Sequence, residues 1–143
     1  MSDISDITLA RQEFAARLTP IAPVRTGLAA LETTRAELPV FTLWTIDDRP
    51  AADQAYSAPA YTRSCTVEYK AQATDAYDED LDAVLRQVRQ ALKPPIGAPA
   101  LTAALALRET GVRFVHPDLA QSGSHPVAYF QITFEIDYLE RLS

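Results

Sequence analysis

The sequence predicts an α+β fold in which an antiparallel sheet of about four main strands carries helices packed on one face. Three observations lead there. Segments 61–73 and 127–140 alternate between apolar and polar residues with the period of two that strands require, and Val40–Ile46 is rich in β-branched and aromatic side chains. Between Asp75 and Leu92 the apolar residues instead recur at helical spacing.

The elements follow in order. Asp6 is placed to cap a first helix over 6–18, whose Ile7, Ala10, Phe14 and Leu18 line one face before Pro20 stops the pattern. Pro20, Pro23 and Gly27 make the next stretch irregular, and Gly27–Thr33 (GLAALET) reads as a short strand or a helical turn, with the strand favoured. Val40–Ile46 (VFTLWTI) is apolar on both faces, which predicts a central strand. Asp47, Asp48 and Pro50 end it, and Asp47–Pro59 reads as a long exposed loop able to contact partners.

Residues 61–73 place Tyr61, Arg63, Cys65, Val67, Tyr69 and Ala71 on a core face and Thr62, Ser64, Thr66, Glu68, Lys70 and Gln72 on a face toward water. The following helix buries Leu81, Val84, Leu85, Val88 and Leu92 and ends at Pro94-Pro95. A short helix running into a strand is expected over Pro99–Glu109, then a turn at Gly111 and a strand at Val112–His116. Pro117–Pro126 is a turn-rich loop, and Val127–Glu140 is the longest strand, with Ala128, Phe130, Ile132, Phe134, Ile136 and Tyr138 turned to the helices.

The 143 residues fit one domain spanning 1–143, large enough to bury a core without disulfide or metal staples. With 48% apolar and 22% charged residues, the chain has the composition of a folded protein. Its net charge of −6 argues against a surface built for phosphates, and the 13 basic residues form no tail or arm. A single cysteine, Cys65, cannot make an internal disulfide and reads as a small core residue in a reducing compartment. The start MSDISDITLARQEF lacks the pattern of a signal peptide and no stretch approaches membrane-spanning length, so the expected location is the cytoplasm.

Chemistry is sparse. Asp75, Asp78, Glu79, Asp80 and Asp82 sit at a helix start, where carboxylates interact favourably with free N–H groups, and they lack the spacing of a calcium loop. His116 and His125, with Asp118 between them, are the one cluster with atoms suited to a metal or acid–base pair, but no further ligand is spaced to complete it. The four glycines are isolated, and GxSxG, CxxC and HExxH motifs are absent. No catalytic residue, metal site or cofactor is expected. Tyr56 and Tyr61 beside Arg63 are the residue types that protein interfaces favour.

The order of elements resembles a known family. A helix, the strand LPVFTLWTIDD, a long loop, the strand SCTVEYKAQA running into the helix DEDLDAVLRQVRQAL, and the closing strand VAYFQITFEIDYLE are similar to the tail terminator family of long-tailed phages, the minor tail protein U-like tail-completion proteins. The likeness spans about residues 6–140 and is one of pattern, not of an invariant motif. It implies a structural virion protein without catalytic residues. Such a protein forms a ring, a hexamer, that docks on the finished tail tube, stops its polymerisation and presents a surface to the head.

The implied partners are further copies of the chain, the major tail tube protein, the head–tail connector protein and the tape measure protein, with no specific nucleic-acid binding and no membrane. The implied location is the host cytoplasm during assembly and then the virion tail. Asp47, Asp48, Arg49, Tyr56, Tyr61 and Arg63 are the expected interface residues. The charge balance adds that an acidic bore would let DNA pass without sticking. The alternatives are a head-completion or neck connector protein, a non-viral small-molecule-binding or regulatory α+β domain, which needs a concave apolar pocket, and an enzyme resting on His116, Asp118 and His125.

Overall fold

The structure, a computed structural model, describes residues 5–27, 38–51, 59–94, 100–115 and 126–140. Helix α1 (Asp6–Leu18) has the limits that the sequence predicts, but a different cap. Ser5, not Asp6, is the cap: its backbone is extended and its hydroxyl accepts the Thr8 N–H at 3.3 Å. Asp6 lies in the first turn, where its charge favours the helix dipole. Ile7, Ala10, Phe14 and Leu18 are buried as their spacing requires.

Strand β1 (Val24–Thr26) follows, and Gly27 leaves it with φ at +60°, a backbone conformation that glycine adopts at little cost. The remainder of the strand expected at Gly27–Thr33 lies outside the described residues. Strand β2 (Val40–Pro50) runs beyond Ile46 through Asp47, Asp48 and Arg49, residues the sequence assigns to a loop. Strand β3 (Ala60–Gln72) is long enough to pair with all of it, from Val40↔Lys70 to Pro50↔Tyr61. Of the expected long loop, 52–58 lie outside the described residues.

Helix α2 (Tyr77–Ala91) buries Leu81, Leu85 and Val88. Before it, the Thr74 hydroxyl accepts the Ala76 N–H at 3.2 Å and donates to Asp80 at 2.7 Å, while Asp78, Glu79 and Asp80 fill the first turn. Residues 100–105 form turns and bends in place of the expected helix. Strand β4 (Ala106–Val115) is then continuous through Gly111, where a turn is expected; the interruption is a bulge at Thr110, between Glu109 and Gly111. Strand β5 (Val127–Leu139) is the predicted long strand, with Ala128, Phe130, Ile132, Phe134, Ile136 and Tyr138 all buried.

The sheet has five strands in the order β1-β2-β3-β5-β4. The four long strands are antiparallel to their neighbours and the short β1 pairs parallel to β2, so the sheet is mixed where a purely antiparallel one is expected. Both helices pack on one face. Phe14 of α1 meets Phe134 of β5 edge to face at 5.1 Å, and Leu81, Leu85 and Val88 of α2 join Phe41, Cys65, Val67, Tyr69, Phe130 and Ile132 in the same core. Cys65 is buried, as a core residue, and burial raises its thiol pKa. No helix among the described residues is long and apolar enough to cross a membrane.

Candidate assembly surface

The second sheet face carries no helix among the described residues. Register places Asp47 and Arg49 of β2, Thr62, Ser64, Thr66, Glu68 and Lys70 of β3, Glu135 and Asp137 of β5, and Arg108 and Arg113 of β4 on it together. The sequence predicts water over the β3 residues here, yet Thr62, Ser64, Thr66 and Glu68 are each less than 9% exposed. The cause is lateral cover, because β3 lies between longer side chains on both neighbours.

Arg49 reaches across β3 to Glu135 and donates to Ser64 at 3.1 Å on the way. It also holds Asp47 at 3.3 Å. Arg108 approaches from the other side, bridging Glu135 at 3.2 Å and donating two bonds to Asp137, which accepts a third from Thr62 at 2.7 Å. The result is an alternating chain Asp47–Arg49–Glu135–Arg108–Asp137 across four strands. Charge-assisted bonds of this kind hold both carboxylates below their ordinary pKa: Arg49 does so first for Glu135, and Arg108 for Asp137. Higher on the face Glu68 accepts from Gln131 at 2.6 Å and pairs with Lys70 at 3.1 Å.

Acids and bases therefore offset one another on the open face. The exposed acidic residues Asp78, Glu79, Asp80 and Asp82 stand instead at the start of α2. The charge excess that the sequence assigns to a bore lining belongs in part to a helix on the opposite side of the sheet.

The other expected interface residues lie on the helix side. Arg63 donates to Asp48 at 2.6 Å, and the same carboxylate oxygen accepts the Tyr138 hydroxyl at 2.6 Å. Burial, followed by that bond, pushes the Tyr138 phenol up to about 12. Tyr61 leans on Tyr138 with ring centroids 5.9 Å apart. Asp48, Tyr61 and Arg63 thus brace the end of the sheet internally, whereas Asp47 and Arg49 face outward. Tyr56, His116, Asp118 and His125 lie outside the described residues, and no group of acidic, histidine and cysteine side chains suited to a metal occurs among the described ones.

Residues that sequence reasoning passed over define the two borders of the sheet. Strand β1 covers β2 only at Phe41–Leu43, so among the described residues Trp44–Pro50 has no strand on its outer side. Trp44 is 39% exposed and Ile46 52%. At the opposite border β4 is likewise unpaired outward, with Phe114 40% exposed. A large apolar residue within a strand is the signal available from sequence, but its exposure depends on which strands end up at the border. A cleft of about 1020 Å³ lies where β1 ends, between Thr8, Arg11 and Gln12 of α1, Thr26 and Gly27, and Thr42–Thr45 of β2. There Arg11 donates to Thr45 at 3.3 Å while its buried Nε finds no partner among the described residues.

These borders expose backbone N–H and C=O groups ready to pair with another strand, and their side chains are apolar enough to gain from being covered. They are not equivalent surfaces, so they can join copies head to tail. The chain matches no protein-family model and no curated protein.

Proposed function

We propose that the protein is a structural assembly protein that closes into a ring on the end of the tail tube of a long-tailed phage, halting tube growth and offering a surface for head joining. One observation carries the reading. Among the described residues the four long strands leave two different open borders, β2 beyond Leu43 on one side and β4 on the other, with Trp44 and Ile46 exposed on the first and Phe114 on the second. Two unlike borders that pair with one another generate head-to-tail contacts, and such contacts close into rings when the rotation per copy divides a full turn.

The same-order resemblance to tail terminators supplies the context, with six copies per ring, the tube protein below and the connector above. Among the described residues the open face, rich in Thr, Ser and paired charges, contains no dense cationic patch that would hold phosphates, which suits a protein past which DNA must slide. Electron microscopy of the proposed partner, the major tail tube protein, tests the reading. Tubes assembled with the protein present should carry a ring at one end and stop lengthening. Tubes that grow equally with and without it, with bare ends, would refute it.

A further inference from the structure

We infer that helix α2 pairs with α2 of a second copy, antiparallel and about a two-fold axis level with Val84, through a lengthwise stripe whose first half is acidic and whose second half is basic. The inference stands apart from the ring reading, because it joins like surfaces where a ring joins unlike ones.

The stripe consists of Asp75, Glu79, Asp82, Arg86, Arg89 and Lys93, at alternating steps of four and three residues, which keeps successive side chains in line along a helix. The middle four lie on α2, the outer two flank it, and all are exposed. Beyond the first turn the charges of α2 keep to this line: the other exposed residues there, Ala83, Gln87 and Gln90, are uncharged. The helix dipole accounts for acids in the first turn and a base in the last, but its effect falls off before Asp82 and Arg86 in the middle of the helix.

Within one copy the stripe works against itself. Glu79 with Asp82, and Arg86 with Arg89, are like-charged neighbours three residues apart, an arrangement that lowers helix stability. Among the described residues Arg89 alone of the six forms a salt bridge, to Glu109 at 2.7 Å. A second stripe turned end for end supplies what the chain does not: Asp75 stands opposite Lys93, Glu79 opposite Arg89 and Asp82 opposite Arg86, each pair occurring twice across the axis. A parallel copy would set acid on acid and base on base, which excludes that orientation.

The shape of the helix face agrees. A depression of about 380 Å³ follows the centre and the basic half of the stripe, lined by Asp82, Leu85, Arg86, Arg89, Gln90 and Lys93, and it takes the partner's acidic side chains. One helix against its copy is a small contact, and exposed ion pairs are individually weak and screened by salt. The pairing therefore belongs to concentrated protein at low ionic strength.

Charge swaps at the centre of the stripe test this, read by sedimentation equilibrium of the full chain. The unaltered protein should pair at about 0.01 M salt and separate at about 1 M, where the screening length falls to about 3 Å. Asp82→Arg alone and Arg86→Asp alone each turn two attractions into repulsions and should weaken pairing about tenfold. Circular dichroism should stay unchanged, since both side chains are exposed. The double swap Asp82→Arg/Arg86→Asp, and an equal mixture of the two single variants, put opposite charges back across the axis and should restore pairing. Association that ignores salt, that survives either single swap, or that neither restoration recovers would overturn the inference, as would an unaltered protein with no association at low salt. The ring reading is judged separately, from the ends of the tubes.

Discussion

Asp137 and Glu135 show how single residues set the behaviour of the open face. Both are held below their ordinary pKa, Asp137 chiefly by Arg108 and Glu135 chiefly by Arg49, and Glu109 is lowered in the same way by Arg89. A carboxylate whose pKa is depressed by folding contributes stability that is complete above its unfolded value and is lost as pH falls through its folded value. Unfolding by denaturant should therefore become easier as pH drops from about 5 toward 2. Asp137→Asn should flatten part of that slope, and an unchanged slope would show that the Arg108 bonds do not persist in solution. Thr62 is 5% exposed and gives its hydroxyl hydrogen to Asp137 at 2.7 Å, so Thr62→Val should cost about 1 kcal/mol in the same measurement. None of these partners is legible in sequence, because Arg49, Thr62, Arg108, Glu135 and Asp137 meet only once strand register is known.

Elements were legible where one force dominated. Helix α2 and strands β3 and β5 stand out because their apolar residues repeat at one period against polar neighbours, and their observed limits fall within a few residues of those read from sequence. The far half of β2 was hidden because Asp47, Asp48 and Pro50 are turn formers. Tertiary pairing with β3 overrides that preference, and Pro50 is tolerated where the strand has an open side. Gly111 misled in the same way, since it sits beside a bulge within a continuous strand and makes no turn. Short β1 was missed because three residues, held by pairing to Phe41–Leu43, show no period. The joint between α1 and the sheet is the Phe14–Phe134 contact, with both rings at most 3% exposed. Phe134→Ala should lower unfolding free energy by about 3–5 kcal/mol; a loss below about 1 kcal/mol would mean that α1 is held elsewhere.

For the molecule as a whole, the proposed association rests on the borders of the sheet. Helices cover one sheet face, the other is knit by lateral ion pairs, and the large apolar side chains exposed among the described residues are Leu9 on α1 and Trp44, Ile46 and Phe114 on the two border strands. The borders differ in sequence and direction, so contact between them links unlike surfaces and need not stop at two copies. Border character could not be read from sequence: Val40–Ile46 is apolar on both faces like an interior strand, and among the described residues it is the brevity of β1 that leaves the far part of β2 without an outer strand. The most direct test is the mass of the native particle, by light scattering over a range of concentrations and by mass measurement of assemblies released from tube ends. The account predicts a closed multiple of the 15.7 kDa chain. Single copies of the unaltered protein under every condition, tube ends included, would contradict it.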